Sequence, residues 1–99
     1  MDARPKILLL DDDPDLLDMY RDILEKLPSQ PELYTATNGT RAIKMLESEG
    51  FSLFICDLRM PKMDGLQVLS VVRRKLPDLR TVVLTSVLDE PSRGSNTSR

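Results

Sequence analysis

The sequence predicts an α/β domain, an open and mostly parallel sheet covered by helices on both faces. Three observations predict it. Four short apolar runs alternate with three stretches of helical period, in the order β-α-β-α-β-α-β. The first run is continuously apolar, as in strands buried on both faces of a parallel sheet, whereas a half-solvated strand would alternate. The connections are short, punctuated by Pro, Gly, Asn and Asp, and there is no internal repeat. Alternation of this kind implies right-handed crossovers between parallel neighbours.

The first strand is Lys6–Leu10, KILLL, bounded by Pro5 and the acidic cluster from Asp11 to Asp15. Asp13 followed by Pro14 is a helix start, with Asp13 as N-cap and Pro14 at the first helical position. The helix is expected from about Pro14 to Leu27, with Leu16, Met19, Tyr20, Ile23, Leu24 and Leu27 on its apolar stripe. Pro28 to Pro31 end it. A weakly alternating second strand follows at Glu32–Ala36. Asn38-Gly39 reads as a turn, and Thr40 as the cap of a helix carrying Ala42, Ile43, Met45 and Leu46, which Gly50 ends. The third strand is expected at Ser52–Cys56, delivering Asp57 at its end. After Asp64-Gly65, a third stripe runs through Leu66, Val68, Leu69, Val71, Val72 and Leu76 until Pro77-Asp78 breaks it. Arg80–Thr85 is the fourth strand. Residues 1–90 thus form one domain, and the polar stretch 91–99 is expected to be a flexible tail.

Composition narrows the chemistry. The 99 residues suffice for one small core. A net charge of -2 gives no general attraction to nucleic acid or to an anionic membrane. No apolar run reaches spanning length and no signal-peptide core follows the N-terminus, so a cytoplasmic location is expected. One Cys and no His exclude a disulfide framework, a zinc site of the usual kind and His-based catalysis. Cys56 reads as a core residue, and Arg73, Arg74, Lys75 and Arg80 as a solvated helix end and its surroundings. The chemistry falls to carboxylates, hydroxyls and backbone groups.

In an open parallel sheet, ligands collect outside the carboxyl ends of the strands, near the topological switch point. The first strand ends at Asp11 and Asp12, the third at Asp57. If these strands are neighbours, three carboxylates converge. Like charges a few ångströms apart invite a hard divalent cation, and Mg²⁺ suits oxygen ligands that leave room for water and a phosphate. With the hydroxyls of Thr85 and Ser86 at the end of the fourth strand, the set points to phosphoryl transfer, where positioning and charge neutralisation dominate.

The segments Ile7–Pro14, ILLLDDDP, Cys56–Gly65, CDLRMPKMDG, and Val82–Ser86, VVLTS, resemble, in order and spacing, the receiver domain of bacterial two-component response regulators, over roughly residues 6–88. The resemblance implies a flavodoxin-like doubly wound sheet with strand order 2-1-3-4. It implies that Asp57 is the phosphoacceptor. Asp12 would touch Mg²⁺ directly and Asp11 through water, with the backbone carbonyl of Arg59 as a further ligand. Thr85 corresponds to the hydroxyl that follows the phosphoryl group, Ser86 to the small residue beside it, and Pro61 and Gly65 to loop-shaping positions. A histidine kinase or phosphotransfer protein is the implied donor, and output would run through an unspecified protein partner rather than through DNA or a membrane.

Receiver domains usually continue through a fourth helix, a fifth strand bearing a phosphate-pairing Lys, and a fifth helix. The sequence is therefore expected to be a C-terminally truncated receiver, with its last strand-helix unit missing. Its fourth strand would then be a bare, β-branched edge, and self-association through it is expected. The competing function is a truncated receiver acting as an interaction or oligomerisation module without phosphorylation. A phosphohydrolase of the haloacid-dehalogenase type would also begin with acidic residues after an apolar strand. It requires a larger domain with a later Lys and acidic pair, so the chain is not expected to be an enzyme.

Overall fold

The computed structural model describes residues 4–58 and 65–84. The elements are β1 (Lys6–Leu10), α1 (Pro14–Leu24), β2 (Glu32–Ala36), α2 (Gly39–Ser48), β3 (Leu53–Asp57), α3 (Gly65–Lys75) and β4 (Arg80–Leu84). All strand pairs are parallel and the sheet order is β2-β1-β3-β4. This is the doubly wound order expected from the sequence. The tail expected at 91–99 lies outside the described residues.

β1 is central and buried on both faces, which is why its sequence does not alternate. Leu8 and Leu10 face one way and pack with Phe54, Cys56 and the inner residues of α2 and α3, among them Ala42, Leu46, Val68 and Val72. Ile7 and Leu9 face the other way, toward Leu17 of α1. One face of the sheet thus carries two helices and the other carries α1.

Asp13 caps α1 as expected: its Oδ1 accepts the Asp15 N–H at 2.9 Å, with Pro14 opening the helix. The buried side of α1 departs from the expected stripe. Leu17 is its only fully buried residue, supported by Tyr20 and Leu24, whereas Met19, Ile23 and Leu27 are exposed. Two overlapping apolar stripes exist in this segment, and the short return to β2 decides which one faces the sheet. Arg21 and Glu25 share a surface cleft with Glu32 and Leu33, while Met19 and Ile23 are exposed. The helix proper also ends earlier, at Leu24, and tighter turns carry the chain to Leu27 through Lys26 N–H to Ile23 and Leu27 N–H to Leu24 bonds.

Two further expectations are corrected at α2. Asn38, not Thr40, is the N-cap: Asn38 Oδ1 accepts the Arg41 N–H at 2.8 Å, so Asn38-Gly39 opens the helix and is not a separate turn. An Asn side chain in extended backbone reaches that amide three residues on, while Thr40 is already inside the helix and exposed. α2 ends at Ser48, just before Gly50, where the C-cap Glu49 turns to extended backbone, φ -136°. In α3, Val68, Leu69 and Val72 are buried as expected, but Leu66 is exposed. β3 runs one residue later than expected, so Asp57 belongs to the strand and pairs with Leu84.

Candidate functional site

β1 and β3 are neighbours in register, with Leu10 opposite Cys56. One residue further along each strand, Asp11 and Asp57 reach the carboxyl edge of the sheet side by side. Strand alternation places both on the face that carries α1. Both are buried, with 1% and 4% of their surface exposed. The backbone holds each in place: Asp11 N–H donates to the Ala36 carbonyl at 3.2 Å, and Leu58 N–H to the Leu84 carbonyl at 3.0 Å.

Asp11 Oδ1 accepts the Asp13 N–H at 2.9 Å. Its Oδ2 is buried without a hydrogen-bond donor among the described residues. The consequence is electrostatic. Burial, opposed by the Asp13 amide and reinforced by the Asp57 carboxylate and by Asp12, pushes the Asp11 carboxyl up to about 6. Two buried carboxylates side by side call for a proton or a cation between them. A native fold rarely leaves a buried acceptor without a partner, and when it does the atom marks a ligand or a strain reservoir.

Asp11 and Asp57 form a buried pair, and Asp12 beside them adds its charge to the same surroundings. Asp12, two residues past the end of β1, is partly buried. Among the described residues no three carboxylates form a complete set for a metal ion. Arg59, Pro61, Thr85 and Ser86 lie outside the described residues.

Gly65 lies at the start of α3, pressed against the end of β3. A Cβ there would meet Leu58 Cα at 2.9 Å and the Asp57 carbonyl oxygen at 3.1 Å. Its backbone conformation is ordinary; what demands glycine is the close approach. Cys56 lies behind Asp57, and burial pushes its thiol up to about 11, so it packs rather than reacts. The helical period places Tyr20 on the apolar stripe of α1. Burial, then Asp11 and Asp57, raise its phenol above the usual range, so it belongs to the electrostatic surroundings of the pair. The only sequence signal for this was a tyrosine in the helix that follows the acidic strand end.

A doubly wound parallel sheet with buried carboxylates at the carboxyl ends of its central strands defines an α/β domain of the class whose ligands bind at the switch point. The sequence profile of the response regulator receiver domain matches residues 7–97, and the chain belongs to that family. It is similar to a probable C4-dicarboxylate response regulator, DctR, of Bacillus subtilis, at 29% identity over 85 residues, covering 86% of this chain and 38% of that protein. Among solved structures it is similar to the response regulator TrrA of Thermotoga maritima in complex with Mg²⁺ and beryllium fluoride. That likeness has a TM-score of 0.76 and 29% identity, and covers 94% of this chain and 82% of the other. It is similar also to a structure of the histidine kinase ThkA in complex with TrrA, with a TM-score of 0.75 and 33% identity, covering 83% of this chain and 69% of the other. The chain spans less than two fifths of the length of the first curated relatives it matches. Receiver domains are signalling modules of two-component systems rather than catalysts. Among the described residues no helix is long and apolar enough to cross a membrane.

Proposed function

We propose that this receiver domain is phosphorylated on Asp57, with Mg²⁺, by a histidine kinase or phosphotransfer protein, and passes the signal on through protein contacts. The observation that carries the reading is the buried Asp11–Asp57 pair with the donorless Oδ2 of Asp11. Such an arrangement fits a cation, whose bound charge would neutralise the carboxylates and the incoming phosphoryl oxygens. Asp12, Asp57 and the carbonyl of Arg59 are the residues that would hold it, with Asp11 acting through water.

Asp57 is then the nucleophile. One carboxylate oxygen forms a bond to phosphorus while the bond from phosphorus to the donor's nitrogen or oxygen breaks, and the leaving group keeps that electron pair. The product is an acyl phosphate on Asp57. β3 fixes the carboxylate at the sheet edge, and Gly65 lets α3 close against the backbone that bears it. Thr85 is assigned to follow the phosphoryl group and Ser86 to leave it accessible. Self-association through the β4 side belongs to the same reading.

The test is intact mass after incubation with Mg²⁺ and a small acyl-phosphate donor. A single labile phosphoryl adduct is expected, absent in Asp57→Asn and without Mg²⁺. No adduct from folded protein would refute the reading and favour an interaction module that is not phosphorylated.

A further inference from the structure

We infer that Tyr20 is a positioning residue of the cation site, its phenol O–H holding Oδ2 of Asp11 through one water molecule, so that Asp11 faces Mg²⁺ in a fixed orientation. The inference rests on the Mg²⁺ reading above and adds a residue to it.

Topology puts the phenol there. β2 starts beside the first residue of β1, with Lys6 opposite Glu32. α1 therefore begins at the carboxyl edge of the sheet and runs back to the amino edge. Its side chains lean toward its own N-terminus, which is back toward the carboxyl edge. Along β1 the residues on the α1 face are Ile7, Leu9 and Asp11, and along β3 they are Leu53, Ile55 and Asp57. Tyr20 packs against the cluster of Ile7, Leu9 and Leu17 on this face, as do Leu53 and Ile55. Asp11 and Asp57 are the next residues in the two rows. From Leu9 to Asp11 is one two-residue step of about 6.6 Å, which a tyrosine side chain spans. A ring that packs on the apolar rows and leans along them ends with its hydroxyl at the level of the carboxylates.

Two further observations agree with this placement. Burial, and then the charges of Asp11 and Asp57, raise the phenol above its usual range, so both carboxylates lie near it. Such a phenol keeps its proton and serves as a donor, adding no charge beside the cation. The second observation is Asp11 Oδ2, buried and without a donor among the described residues, while Oδ1 takes the Asp13 amide at 2.9 Å. The phenol does not reach Oδ2 directly. A water between them has Tyr20 Oη, Asp11 Oδ2 and the carboxylate of Asp57 as polar partners, enough to hold it. A group that serves a metal ion keeps its orientation through such a partner on its other atom. The second tyrosine is engaged elsewhere: Tyr34 donates its hydroxyl to Glu32 Oε1 at 3.1 Å, and its ring meets Phe51 edge-on.

The experiment is isothermal titration calorimetry of the whole chain with Mg²⁺, on wild type, Tyr20→Phe and Tyr34→Phe, with urea unfolding to check that each is folded. Phe keeps the ring and its packing and removes only the hydroxyl. Tyr20→Phe is expected to weaken Mg²⁺ binding about three- to tenfold, as the loss of one hydrogen bond to a charged group does. Tyr34→Phe should leave the affinity unchanged. The sequence has no Trp and two Tyr, so Tyr34→Phe also leaves Tyr20 as the one tyrosine fluorophore. Its emission is expected to change along the Mg²⁺ titration with the calorimetric midpoint. Equal affinity of wild type and Tyr20→Phe overturns this inference alone, because packing is then all that Tyr20 contributes, and the Mg²⁺ reading stands. Tyr20 emission that does not move at saturating Mg²⁺ overturns it too, as does an equal loss of affinity in both tyrosine variants. A folded wild type that binds no Mg²⁺ overturns the inference and the Mg²⁺ reading together.

Discussion

Replacing the buried carboxylate of Asp11 by an amide, Asp11→Asn, is expected to stabilise the metal-free domain at neutral pH. The ordinary carboxyl value is 3.8, and burial beside Asp57 pushes Asp11 up to about 6. The folded state therefore holds this proton more tightly than the unfolded chain does. Below about pH 4 both states are protonated and the group costs nothing. As pH rises from about 4 through 6, the folded state must give up a proton it favours, and stability falls; above that window the full penalty persists. At about 1.4 kcal/mol per pH unit, the gap amounts to about 3 kcal/mol. Solvent screening and relaxation of the surroundings remove part of it, leaving on the order of 2 kcal/mol. For a chain of this size that corresponds to roughly 8–16 °C in Tm. The groups facing Asp11 are Asp57 from β3, Tyr20 from α1 and Asp12 beside it. Urea unfolding of wild type and Asp11→Asn at a series of pH values between 4 and 8, without divalent ions, is the assay. The difference between them should be small at pH 4 and grow to its plateau above pH 6. A difference that does not change with pH, or an Asn variant less stable than wild type at pH 7.5, would refute the argument that the pair is electrostatically strained.

Further predictions follow from the same geometry. Millimolar Mg²⁺ should raise the unfolding midpoint of the wild type above pH 6 and leave Asp57→Asn unmoved, as thermal melts with and without the ion would report. Gly65→Ala forces a contact of 2.9 Å with the Leu58 backbone and should cost about 1–3 kcal/mol, as overpacking does, measured by urea unfolding. Asn38→Ala should cost about 1 kcal/mol by removing the α2 cap, and Thr40→Ala less than about 0.5; the reverse order would restore Thr40 as the cap. Leu17→Ala should cost about 2–4 kcal/mol, while Ile23→Ala stays within about 0.5 in dilute protein, which checks the rotation of α1 by chemical denaturation.

The sequence by itself determined the fold class and the order of elements. Strand–helix alternation and the uninterrupted run of β1 leave few topologies once crossovers must be right-handed. It also placed Asp11 and Asp57 at the ends of two strands; that these strands are neighbours was implied by the family resemblance, and β1 and β3 do pair. Local chemistry served wherever the competing choices differed strongly, as at Asp13-Pro14. It failed where neighbouring residues were nearly equivalent: Asn38 and Thr40 both cap, and only backbone geometry separated them.

What only the tertiary structure decided is what depends on packing directions between elements. The α1 segment offers two apolar stripes a quarter turn apart. Which one is buried is set by how the chain returns to β2, and helical period alone carries no record of that. The division of the acidic cluster into a buried pair and a rim residue is of the same kind. Asp11 and Asp12 are neighbours in sequence, yet at a strand end successive side chains point to opposite sides. One is buried beside Asp57, with its ionisation displaced, and the other is partly exposed.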